Sequence, residues 1–216
     1  MYDGRNSPAG SFLKNYFMIV LRLFLSLIFV SCIAHLFGQS YNDSMQTFLD
    51  RYVKKNEVVR GADRKYFQFY PIDQKYRVTA TFEKAKDDKW FSMETSAHLK
   101  QTYRVYGTVS FTIHDTLVKA DIYQSQDLLG NAKYKDYLAL MFTDKTTGDQ
   151  TYHAGRYVDL AIGDINDGKV VIDFNKAYNP YCAYIKGKYS CPIPPRENYL
   201  PVAIEAGERN FGKKIE

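Results

Sequence analysis

Six side chains in the carboxy-terminal third have the types from which polar sites are made. Arg156, Asp173, Asn175, Tyr178, Asn179 and Glu205 supply a guanidinium, two carboxylates, two carboxamides and a phenol from separate segments, as in assembled polar pockets. Arg156, with Tyr157 beside it, suits a forked clamp on a carboxylate or phosphate. Asp173 or Glu205 suits a general base once desolvated. The bland counterpart is a structural ion pair between Arg156 and one of these carboxylates. Three functional classes emerge: a binder of a small polar ligand or partner, an acid/base hydrolase in which Arg156 orients an anionic substrate, and a structural envelope protein without a ligand. No residue is assigned a catalytic role.

Other chemistries find less support. There is no G-x-S-x-G elbow, and His98 and His114 fall in polar strand or turn contexts. Phosphate-cradling and dinucleotide-binding glycine loops are missing, and no pattern asks for a cofactor. Cys182 and Cys191 enclose a short loop containing Gly187. A disulfide there would contribute about 2.5–3 kcal/mol in the chain-entropy description. Zinc held by His153, Cys182 and Cys191 is the sharper alternative, but no CxxC or HExxH pair supports it and no metal is expected.

The positioning elements are read from periodicity. Met45, Phe48, Leu49, Tyr52 and Val53 make one stripe of an amphipathic helix over Tyr41 to Gly61, capped by Asp43 or Ser44 and ended by Gly61. Tyr76 to Phe82 and Tyr103 to Ile113 alternate as half-wet strands, with a bulge expected at Gly107. His114-Asp115 turns the second run back into Val118, Ala120 and Ile122. Gln124 to Asp136 reads as a helical turn or loop before strand 137–142. Asn166-Asp167-Gly168 predicts a hairpin joining Tyr157–Ile162 to Lys169–Phe174. Asn175, Asn179 and Asn198 suit Asx turns, and Pro192, Pro194, Pro195 and Pro201 hold an extended course. The fold class is mainly β: a single antiparallel β-barrel or sandwich with an amino-terminal amphipathic helix and an irregular Cys/Pro-rich carboxy-terminal arm.

The amino terminus reads as an address. Tyr16 to Phe37 is apolar almost throughout, interrupted by Arg22. An Arg near the bilayer centre costs about 2.5–3.5 kcal/mol on insertion scales, which favours a secretory signal with its core at Leu23 to Phe37. Translation from Met18 would put the charge at the start of the signal, with cleavage near Gly38. A lipoprotein-like box at Phe29-Val30-Ser31-Cys32 and an uncleaved anchor are the alternatives. The division expected is 1–39 as signal peptide or membrane anchor and 40–216 as the β domain, exported to the periplasm or cell envelope, where thiols oxidise.

Composition is consistent with this. The chain has 216 residues, 45% apolar and 25% charged, which excludes disorder and a multi-span transporter. A net charge of +5 is too mild to argue for nucleic acid. Nineteen Tyr and 14 Phe against a single Trp suit pleated sheet surfaces. Tyr178, Tyr181, Tyr184, Tyr189 and Tyr199 cluster in the arm, where a sugar platform competes with simple packing.

One family resemblance emerges. Thr151-Tyr-His-Ala-Gly-Arg-Tyr157, Asp173-Phe-Asn-Lys-Ala-Tyr-Asn-Pro-Tyr-Cys-Ala-Tyr184, Ser190-Cys-Pro-Ile-Pro-Pro-Arg-Glu-Asn-Tyr-Leu-Pro-Val202 and Ala206-Gly-Glu208 occur in order. Upstream stand Tyr66-Phe67, Tyr70-Pro-Ile-Asp73 and Phe142-Thr-Asp144 with Thr147-Gly148. This set resembles the bacterial and archaeal family called domain of unknown function 1684, over nearly all of 40–216. The resemblance implies the family and carries no catalytic or ligand residue across. His153 departs from the family pattern, which has Gly there.

Overall fold

The computed structural model describes residues 17, 18, 20–22, 40–97 and 99–214. The expected signal core with Cys32 lies outside them, as does His98. Among the described residues no helix is long and apolar enough to cross a membrane. The chain forms two units, Met1–Ser44 and Met45–Glu216. In the first, residues 17, 18, 20–22 and 40–44 are helical. The sheet and the arm belong to the second.

Period-two alternation generates the sheet. In β1 (Arg77–Lys84), Val78 and Ala80 are buried while Arg77, Thr79 and Thr81 are exposed. β2 (Phe91–Met93) pairs with the start of β3 (Gln101–Ile113), which turns into β4 (Thr116–Ser125). Both turn residues, His114 (φ 47°) and Asp115 (φ 57°), are left-handed, as a tight two-residue hairpin requires. The ladder slips between Val105 and Gly107. A Cβ at Gly107 would lie 2.6 Å from the Glu83 carbonyl and closer still to the Phe82 ring, so only glycine fits. Gln126–Leu129 supplies the helical turn α2 before β5 (Tyr137–Asp144).

β6 (Arg156–Ala161) pairs with β5, whereas β7 (Lys169–Asp173) pairs with β1 at the far edge. The expected β6–β7 hairpin therefore does not form. Asn166 and Lys169 do close the turn with two bonds of 2.9 Å, but each strand finds its ladder elsewhere. The order β6-β5-β4-β3-β1-β7 is antiparallel and curls into a half-barrel. Past β7 the chain returns to β6, where Tyr157 and Tyr178 exchange two backbone bonds of 3.0 Å.

Val78, Val109, Phe111, Ile122, Leu140, Phe142, Ile172 and Phe174 fill the concave side. Met93, Tyr103, Tyr123, Met141 and Tyr157 form a second apolar patch on the other face. Buried on both sides, β5 carries a nearly continuous apolar run. α1 (residues 40–55) buries Met45 and Leu49. It stops before Gly61, because the Asn56 carboxamide accepts the amides of Val58 and Val59 and turns the chain.

The arm from 174 to 212 contains only short 3-10 turns and the two-residue β8 (Tyr199–Leu200), parallel to β5. Its asparagines bond farther afield than Asx turns. Asn198 accepts from the Asp121 amide and donates to the Asp121 and Met141 carbonyls at 2.8 Å each, bridging β4 and β5 where they make a single paired step. Asn175 likewise takes both backbone groups of Asp73. At Gly207 (φ +74°), an added Cβ would strike the carbonyls of Phe174 and Ala177, which explains glycine in the Ala206-Gly-Glu208 motif.

Candidate functional site: a tyrosine-lined cleft

Arg156 and Tyr157 are neighbours in β6, and neighbours in a strand point to opposite faces. Arg156 turns inward and is 1% exposed. Its Nη2 donates to the Asp144 carboxylate at 3.2 Å and to the Ile204 carbonyl at 2.8 Å. Its Nη1 donates to the carbonyls of Ala206 and Glu208 at 2.6 and 3.1 Å. Burial lowers the guanidinium pKa, against the opposing pull of Asp144. The ion-pair partner is thus Asp144, not Asp173 or Glu205. Asp144 also receives Thr146, Thr147 and the Ile204 amide. Both terminal nitrogens of Arg156 are thus committed to acceptors of the protein itself, in a group turned away from solvent.

The remaining expected residues scatter. Asp173 caps the turn after β7, accepting the Asn175 amide and carboxamide at 3.1 Å each. Asn179 donates its carboxamide to the Arg209 carbonyl and its amide to Glu208. Glu205 is exposed. Cys182 and Cys191 form the disulfide, with Cα atoms 6.3 Å apart. Their sulfurs are bonded to each other and are not zinc ligands, and the His153 ring lies tilted beside Tyr152, 4.5 Å between centroids.

Tyr157 and Tyr178 do come together, on the outer face of β6. They help to line a cleft of about 770 Å³. Phe48, Arg51, Tyr52 and Lys55 of α1 make one wall, and Tyr189, Ser190, Cys191 and Pro192 of the stapled arm make another. Asn56, Asp159, Lys176, Tyr178, Pro180 and Tyr181 complete it. The arm wall is fixed from behind: the Ser96 amide donates to the Cys191 carbonyl, the Ile193 amide to the Glu94 carbonyl, and the Gln101 carboxamide to the Ser190 carbonyl. The Tyr157 hydroxyl bonds the Pro192 carbonyl.

Two polar groups underlie the aromatic surface. Asp159 Oδ1 accepts the hydroxyls of Tyr137 at 2.8 Å and Tyr178 at 2.6 Å. Both phenols are raised well above their ordinary pKa, chiefly by burial, and remain donors. Behind Tyr52, the fully buried Glu208 accepts Tyr52 at 3.0 Å, Tyr184 at 2.7 Å and the Asn179 amide at 3.0 Å. Burial raises the Glu208 carboxyl to about 7.

Residue type alone does not single out Asp144, Asp159, Glu208 or the α1 residues. Their signals are nonetheless present: Asp159 shares the Tyr157 side of β6 by alternation, and 48, 51, 52 and 55 have helical one-face spacing. What one chain cannot supply is the fold-back of the arm onto that face.

No curated protein matches the chain. A solution NMR structure of an uncharacterized protein from Haloarcula marismortui is 30% identical, covering 80% of this chain and 95% of that one, with a TM-score of 0.59. The model of the family described as "Protein of unknown function (DUF1684)" matches residues 64–209. That span holds every ordered motif from Tyr66 to Glu208, and the chain belongs to the DUF1684 family.

Proposed function

We propose that the protein is an exported, envelope-associated binder of a small polar ligand, and that the tyrosine-lined cleft is its site. The carrying observation is the cleft: about 770 Å³, within the range of small-molecule pockets, with five tyrosine rings and charged groups among its walls. Tyrosine gives large contact area at low entropic cost, with a hydroxyl to orient what it holds. Of the residues expected to form a site, Tyr157 and Tyr178 belong to this one. Arg156, Asp173, Asn175, Asn179 and Glu205 lie outside it. Export is supported by the apolar segment 16–37 and by a disulfide, which persists in oxidising compartments.

A thermal-shift screen of the purified protein with sugars, nucleotides and carboxylates tests the site. A ligand at about 100 times its Kd stabilises by about 2.7 kcal/mol, a rise of about 5–10 °C for a domain of this size. Tyr181→Ala, altering a ring 38% exposed at the mouth, should reduce that shift while leaving the unliganded Tm within about 2 °C. Equal shifts in parent and variant for every ligand would remove the cleft as the site. Recovery of the protein from the cytosol on cell fractionation would remove export.

A further inference from the structure

The composition of the cleft walls carries the proposal further. α1 presents Phe48, Arg51, Tyr52 and Lys55 at positions i, i+3, i+4 and i+7, one face of the helix, along the cleft. Lys176 enters from the segment after β7, its ammonium 5.4 Å from the Phe48 ring centroid. Three cations therefore line the cleft against one carboxylate, Asp159. Among the described residues the ion pairs lie elsewhere, at Lys89–Asp87, Arg104–Asp88, Arg156–Asp144 and Lys213–Asp63. Arg51, Lys55 and Lys176 have no ion-pair partner among the described residues.

The lone carboxylate is not their counter-ion. Asp159 has its Oδ1 occupied by the Tyr137 and Tyr178 hydroxyls. Its Oδ2 makes no bond among the described residues, which leaves an acceptor at the exposed position of β6. The rings of Tyr52 and Tyr178, at 6.1 Å between centroids, and of Tyr181 and Tyr189, at 5.0 Å, supply flat apolar surface. An aromatic cage for an organic cation would use the same rings, but three uncompensated positive groups oppose a cation there.

We infer that the cleft selects a hydroxylated ring bearing a phosphate or carboxylate group. The tyrosines hold the ring, Asp159 accepts a ring hydroxyl, and Arg51, Lys55 and Lys176 determine selectivity for the anion. The inference rests on the cleft being a ligand site. An Arg fork and two flexible ammonium groups match phosphate or carboxylate oxygens without exact geometry, and the mouth is open enough for salt to screen them.

Calorimetric titration of the purified full chain with glucose, glucose 6-phosphate, glucuronate, inorganic phosphate and choline tests this. The expected result is at least 10-fold tighter binding of glucose 6-phosphate or glucuronate than of glucose and of inorganic phosphate, weakening as salt rises. The stronger of the two anionic sugars identifies the preferred group. Arg51→Gln combined with Lys176→Gln, both exposed positions, should remove that 10-fold preference. Equal binding of glucose and its charged forms would overturn the inference while leaving the cleft a site. So would tightest binding of choline, or phosphate alone binding as well as the sugar phosphate. Failure of all five probes to bind would overturn both readings.

Discussion

At the residue scale, the family motifs are explained more by scaffolding than by chemistry. Arg156 ties β6 to Asp144 of β5 and to three carbonyls of the arm, so one side chain joins segments about 50 residues apart. Arg156→Ala should destabilise the fold by about 3–5 kcal/mol, because Asp144 and the carbonyls stay buried without their donor. Lysine cannot reach four acceptors and should recover little. In urea unfolding, the double variant Arg156→Ala/Asp144→Ala should lose less than the sum of the single losses, since the buried charge goes with its partner. Additive losses would mean that the two groups act independently. Residue type and motif membership alone point to Arg156 as a clamp. Alternation along β6 already separates it from Tyr157, and only the position of the arm shows that the inward side is closed.

At the element scale, the arm is a wall made of irregular chain. It has few internal ladder bonds and is held by substitutes: Asn198 between β4 and β5, Gly207 against 174–177, and the staple between Cys182 and Cys191. The staple lies directly beside the cleft rings Tyr181 and Tyr189, each next or nearly next to a bridged cysteine in the chain. Replacing both cysteines with serine should therefore act twice. Stability should fall by about 2.5–3 kcal/mol, the loop-closure value for a bridge of nine-residue separation. Ligand affinity at the cleft should also fall, because the two rings would no longer be fixed relative to each other. Denaturant unfolding and titration of the same variant separate these effects. Unchanged affinity with reduced stability would assign the staple to the fold alone.

At the scale of the whole molecule, Glu208 joins α1 to the arm through Tyr52, Tyr184 and Asn179, with no cation among its direct hydrogen-bond partners. Its carboxyl is raised by burial to about 7, so folding takes up a proton between the ordinary carboxylate range and that value. The associated stability is fully present below about pH 4.5 and is lost as pH rises through about 7. The total is on the order of 3 kcal/mol. Glu208→Gln should flatten the decline in Tm between about pH 5 and 8 measured by calorimetry. An unchanged slope would place the titration elsewhere. The period-two runs, the tight turn at His114-Asp115, the bulge at Gly107 and the cysteine pair are legible in sequence because each depends on neighbours a few residues away. Strand partners are not: an Asp-Gly turn specifies a reversal of the chain, whereas curling of the sheet sends β7 to β1. The cleft is hidden for the same reason. Sequence alone determined the family, the β character and the supply of tyrosines; tertiary structure decided which of those rings share a surface, because α1, β6 and the stapled arm meet only through contacts between segments distant in the chain.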